Sequence, residues 1–122
     1  NIGYLAPYIS EISEKMCFLL EDDGFEIGAA ATFGEGRDSI VGCIHPQSIL
    51  DAIDAIISSA TTPLDAIFIS CTSLKCANII AIAESQYGIP VISSNSAIAW
   101  DMARLARLAM LANKKGLLFQ QD

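Results

Sequence analysis

Four short apolar runs, separated by segments of helical periodicity, set the terms on which this chain can fold. Ile2 to Pro7, Phe25 to Phe33, Ala66 to Ser70 and Ile89 to Ser93 read as strands, each too short for a helix and each ending in or followed by small, polar or proline residues. Between them the apolar period changes to that of a helix. Ile12, Met16, Leu19 and Leu20 share a face from about Ser10 to Glu21, with Ser10 as a cap, Glu11 or Glu14 in the first turn, and Asp23-Gly24 as the stop. Pro46 suits a first helical position, and Ile49, Leu50, Ile53, Ile56 and Ile57 follow it at amphipathic spacing. A third helix is expected from about Leu74 to Tyr87, ended by Gly88. A fourth is expected from about Ser96 to Leu111, apolar through Ile98, Met102, Leu105 and Leu108. Ser39 to Ile44 has room for one helical turn.

Strands alternating with helices at this spacing predict right-handed β-α-β crossovers. The expected fold is therefore α/β, a four-stranded parallel sheet flanked by helices. With 122 residues the chain forms one domain, 1–122. In such a sheet, ligands bind beyond the carboxyl ends of the strands. The segments that arrive there are Pro7-Tyr8, Phe33 to Asp38, Ser70 to Ser73 and Ser93 to Ser96.

Charge narrows the partners. A net charge of −7 opposes binding to nucleic acid or to an anionic membrane, since both need a basic surface. The apolar stretches are interrupted well before 18 residues, so no membrane span is expected. Cys17, Cys43, Cys71 and Cys76 lack the loop-rich setting of a disulfide scaffold, which points to a reduced, cytoplasmic protein. The chain opens at Asn1 directly into an apolar strand, without an initiator Met, and is expected to be part of something longer.

Cys71 is the leading candidate for chemistry. It follows the run Ala66-Ile67-Phe68-Ile69-Ser70, and Thr72-Ser73-Leu74 open the expected helix behind it. A thiol at a helix start meets unsatisfied backbone N–H groups, which can dock an anion and favour the thiolate. Tyr8 can present a phenolic hydroxyl at the same mouth, and Asp38 or Ser39 a hydrogen bond from the glycine loop. The Ser93-Ser94-Asn95-Ser96 turn offers a second set of helix-start donors, with Ser94 or Asn95 as the cap. A metal site is not expected from Cys71 and Cys76, whose spacing is loose and whose only histidine, His45, lies in another segment. Cys17 and Cys76 read as core residues.

Taken together, GYLAPY, VGCIHPQSIL, IFISCTSLK, PVISSNSAIAW and KGLLF resemble the C-terminal half of enzymes of the aspartate/glutamate racemase superfamily. Within that superfamily the resemblance is to maleate cis-trans isomerases, arylmalonate decarboxylases and related ectoine-utilisation proteins, and it covers nearly the whole chain. It implies a flavodoxin-like lobe and cofactor-independent catalysis on a small carboxylic acid. It also implies Cys71 as nucleophile or proton donor and acceptor, with Tyr8 and Asp38, or its neighbour Ser39, in contact with the substrate; Thr72, Ser73, Ser94 and Asn95 join them as the helix-start donors read from the chain. The partner it implies is a first lobe bearing the opposing catalytic group, with association of copies as another source of that group. The isolated chain is then expected to turn over little. Ser13 and Cys43 depart from the pattern, which has an amide-bearing residue at the first position and a basic one at the second.

The competing readings are a non-catalytic flavodoxin-like ligand-binding module and a thiol-redox pair of Cys71 with Cys76. A phosphoacceptor receiver would need acidic residues where this chain has Pro7 and Ser70.

Overall fold

A computed structural model describes residues 1–108 and 116–120. Four strands form one parallel sheet: β1 (Ile2–Ala6), β2 (Ile27–Thr32), β3 (Ala66–Ile69) and β4 (Val91–Ser93), in the spatial order β2-β1-β3-β4. The helices are α1 (Ser10–Asp22), α2 (Asp38–Val41), α3 (Pro46–Ser59), α4 (Ile80–Tyr87) and α5 (Ser94–Leu105), and a 3₁₀ turn covers Leu117–Gln120. The expected α/β architecture is thus the one found. The strand order reverses between β1 and β3, whose following segments leave in opposite directions and open a crevice above the sheet.

The core lies between α3 and the middle of the sheet. Ile49, Ile53 and Ile56, three positions or so apart on one helical face, meet Leu5, Ile67 and Ile69, and all six side chains are buried. Gly3 is what lets the helix come so close. A Cβ there would stand 2.5 Å from Ile67 Cδ1 and 2.7 Å from Ile56 Cγ2. Pro46 begins α3 as expected, and His45 caps it by accepting a hydrogen bond on Nδ1 from the Gln47 N–H at 3.2 Å. Gly88 ends α4 in the left-handed conformation, φ 71°, with its N–H on the Glu84 carbonyl.

Three expectations need correction. The helix foreseen from Leu74 starts only at Ile80, because Leu74 and Cys76 both turn into the core and hold the segment between them as an irregular loop. In α1 the Ile12 and Leu19 side chains face outward and Ser13 alone is buried. The N-cap is Ile9 and not Ser10. Helix α5 starts two residues earlier than expected and buries none of its residues, leaving Ile98, Met102 and Leu105 exposed along one stripe, with Leu108 exposed just beyond its end. The rest of the helix foreseen to Leu111 lies outside the described residues.

Glu84 joins the sheet to the C-terminal turn. Buried on α4, its carboxylate accepts hydrogen bonds from the Val91 N–H at 3.0 Å and the Leu117 N–H at 2.8 Å. Gly116, at φ 99°, lets the chain pass close over Ile80. No helix among the described residues is long and apolar enough to cross a membrane.

Candidate functional site

The crevice above β1 and β3 collects most of the residues singled out from the sequence. Tyr8 hangs from the turn after β1. That turn is tied to the end of β2 by Phe33 N–H to Ala6 O, by Glu35 N–H to Pro7 O, and by the Thr32 hydroxyl on the Tyr8 carbonyl. Cys71 follows Ser70 at the end of β3, whose N–H reaches back to the Leu5 carbonyl at 2.8 Å. Parallel pairing of Tyr4 with Phe68 and of Leu5 with Ile69 therefore brings two residues 63 positions apart to the same place.

Cys71 is buried and its backbone is left-handed, φ 95°. A residue with a Cβ pays about 1–3 kcal/mol for that conformation, so the surroundings must enforce it. The helix start expected behind the thiol is absent, since α4 begins nine residues later. A different helix terminus takes its place. The Cys71 N–H donates to Ser94 Oγ at 3.2 Å, and Asn95 Nδ2 donates to the Thr72 carbonyl at 2.9 Å, both from the first turn of α5. That turn is itself locked by a capping box, in which Ser93 Oγ accepts from the Ser96 N–H and Ser96 Oγ accepts from the Ser93 N–H. The cap is Ser93, and neither Ser94 nor Asn95. Thr72 is exposed and Ser73 half-buried, in the loop that leaves Cys71.

Tyr8 is half-buried, and burial raises its hydroxyl above the usual tyrosine range. The Ser70 hydroxyl opposes that shift, whereas the Cys71 side chain and the negative charge of Asp38 add to it. Tyr8 thus keeps its proton at neutral pH and can donate it in a hydrogen bond to a carboxylate. Asp38 is exposed at the first position of α2, near enough to act on Tyr8. Its helix ends against the thiol loop, where a Cβ on Gly42 would lie 4.0 Å from the Ser73 carbonyl oxygen. Beside it, Glu35 is held at about 2 by hydrogen bonds and charge from Arg37, with Arg37 Nε 2.8 Å from Oε1. The ion pair joins two residues of the loop that leads to Asp38.

Two residues of this neighbourhood were not among the candidate site residues. Ser70 sits under both tyrosines, and Tyr4 lies fully buried beneath the site with its hydroxyl pushed up to about 12, mainly by burial. Ser70 comes close enough to favour the Tyr4 phenolate without forming a hydrogen bond of normal geometry, and the Tyr4 hydroxyl has no partner. Strand alternation was the available signal, since a tyrosine two residues before the strand end shares a face with Ala6. Cys76 is a core residue, as expected, and burial pushes its thiol up. Cys17 is only half-buried, and its thiol is raised by burial and by Glu21 and Glu14.

Comparison with known proteins identifies the fold and the family. The family model for arylmalonate decarboxylase matches residues 2–119. The chain is 29% identical over its whole length to the maleate isomerase of Nocardia farcinica (strain IFM 10152), covering 48% of that protein. It is 25% identical over 87% of its length to the arylmalonate decarboxylase of Bordetella bronchiseptica, covering 44% of it. The chain thus spans about half the length of the curated relatives it matches. Among solved structures, one similar fold is a cysteine-to-serine variant of the Nocardia farcinica maleate cis-trans isomerase with a covalently bound succinylcysteine intermediate. Its TM-score is 0.90 at 26% identity, with 99% of this chain and 49% of that one covered. The chain belongs to the arylmalonate decarboxylase family.

Proposed function

We propose that this chain is the Cys71-bearing half of a cofactor-independent enzyme that acts on a small carboxylic acid, by chemistry like that of maleate isomerase. The observation that carries the reading is the placement of Tyr8 and Cys71 just beyond the ends of the neighbouring strands β1 and β3, where the strand order reverses, in a chain similar to a protein that holds a succinylcysteine.

In this reading the Cys71 thiolate adds to one alkene carbon of maleate, and the π electrons move onto the neighbouring carbon and its carboxylate. Tyr8, kept protonated by burial and by Asp38, donates a hydrogen bond to that developing charge, and the Thr72 and Ser73 loop contributes backbone N–H groups. Protonation of the carbanion gives a succinyl thioether. Rotation about the new single bond, loss of the same carbon's proton and departure of the thiolate then yield fumarate. The proton is exchanged with a second acid/base group, assigned here to the other half of a full-length protein. Asp38 would repel a second carboxylate on its side, which leaves the substrate to lie toward Thr72.

The family match also supports a decarboxylase reading, in which Cys71 delivers a proton to an α-carbon after loss of CO₂.

Incubation with maleate followed by peptide mass mapping tests the reading. The expected result is a gain of one maleic acid on Cys71 before the exposed Cys43, and no such adduct in Cys71→Ser. An unmodified Cys71 in folded protein, with undiminished activity of the full-length Cys71→Ser enzyme on both maleate and an arylmalonate, would overturn it.

A further inference from the structure

Two side chains in the first turn of α5 are directed at the thiol loop and not at their own helix. Its cap hydrogen bonds come from Ser93 and Ser96, so Ser94 and Asn95 are free of that duty. Both reach back 23 residues in sequence. Ser94 Oγ takes the Cys71 N–H, and Asn95 Nδ2 gives its hydrogen to the Thr72 carbonyl. Between these two bonds lies the left-handed backbone of Cys71. One bond holds the N–H before that distortion and the other holds the carbonyl of the residue after it.

We propose that Ser94 and Asn95 are positioning residues, a two-point clamp that imposes the left-handed conformation on Cys71 and so aims its thiol into the crevice beside Tyr8. The assignment rests on the reading of Cys71 as the reacting group. It gives Ser94 and Asn95 a role other than direct contact with substrate. The β3 loop does not carry the conformation by itself: its own hydrogen bonds, Cys76 N–H to Leu74 O and Ile79 N–H to Cys76 O, begin three residues further on. The clamp therefore transmits the position of α5 to the thiol, and the capping box keeps that position from drifting.

The chemistry of the two bonds separates a clamp from a mere helix start. Aspartate at the second position of a helix favours it through the macrodipole, so Asn95→Asp should raise stability if Asn95 serves only α5. As a clamp residue it has the opposite demand, because an ionised aspartate cannot donate to the Thr72 carbonyl and repels it.

The test follows iodoacetamide alkylation of Cys71 by peptide mapping in the full 122-residue chain, with Cys43 of the same molecules as the internal reference. Ser94→Ala and Asn95→Asp are each expected to raise the Cys71 to Cys43 rate ratio at least about threefold, as the loop opens locally, and Ser94→Thr to restore it. Unchanged ratios in folded Ser94→Ala and Asn95→Asp, or a ratio in Ser94→Thr equal to that of Ser94→Ala, would overturn the proposal. Alkylation reads where the thiol sits whether or not the chain turns over substrate, so this result is independent of the maleate experiment.

Discussion

The ring of Tyr4 stands against that of Phe68 on the neighbouring strand, centroids 6.2 Å apart and planes tilted by 48°. This contact anchors the floor of the site and leaves the Tyr4 hydroxyl buried with no partner. A buried hydroxyl without a hydrogen bond costs stability, whereas the ring contributes area and aromatic contact. Tyr4→Phe keeps the ring and removes the cost. Urea denaturation is expected to find the variant as stable as the parent or more so by about 1 kcal/mol. A loss of stability would show that the hydroxyl is satisfied in solution.

The same residue gives a pH dependence. Its pKa in the folded chain is raised to about 12, above the ordinary tyrosine value of 10.0, so the unfolded chain loses the proton first. Stability from Tyr4 is fully present below pH 10 and is lost as pH rises through about 12. Tyr4→Phe should flatten that alkaline decline, as measured by thermal unfolding across the range. An unchanged decline would assign it to other groups.

Gly3 carries a third prediction. A methyl group there would need Ile67 Cδ1 and Ile56 Cγ2 to retreat from 2.5 and 2.7 Å. Both side chains sit in the packed core, so the helix or the strand must yield. Gly3→Ala is expected to cost about 1–3 kcal/mol by denaturant unfolding, against the usual gain from replacing glycine in a strand. A neutral result would mean that α3 sits further from β1 than described.

Glu84 supplies the fourth. One carboxylate satisfies two backbone N–H groups from separate segments, so Glu84→Ala leaves both unpaired, one buried and one part-buried. A loss of about 2–4 kcal/mol is expected. Glu84→Gln keeps a single acceptor and should recover part of it, with hydrogen exchange slowed at Val91 and still fast at Leu117, or the reverse. Equal behaviour of Ala and Gln would deny the carboxylate its double role.

The sheet and α3 were readable from the chain because their signals are local. Proline at the start of α3, glycine after α4 and the short apolar runs each act through a few residues. The loop after Cys71 was not readable. Leu74 and Cys76 are two apart, a spacing that a helix tolerates, and only their burial in the core shows that the segment is held as an irregular loop. Three serines and an asparagine in a row were equally able to cap α5 by residue type, and the geometry selected Ser93. The apolar stripe of α5 was visible as a period, but periodicity tells which residues share a face and not whether anything covers it. Ser70 and Tyr4 acquire their places from strand register, which joins β1 to β3 across more than sixty residues.

The buried isoleucines of α3 and the polar residues of the crevice lie in different parts of the molecule, with consequences for how such a protein can change over evolutionary time. Asp38 and Thr72 are exposed, so most side-chain replacements there leave the packing of Ile49, Ile53 and Ile56 untouched. Mutational drift can sample new contacts around the thiol without eroding the fold. One scaffold is therefore open to more than one reaction, and the names of its relatives, an isomerase and a decarboxylase, are those of two chemistries on a shared frame.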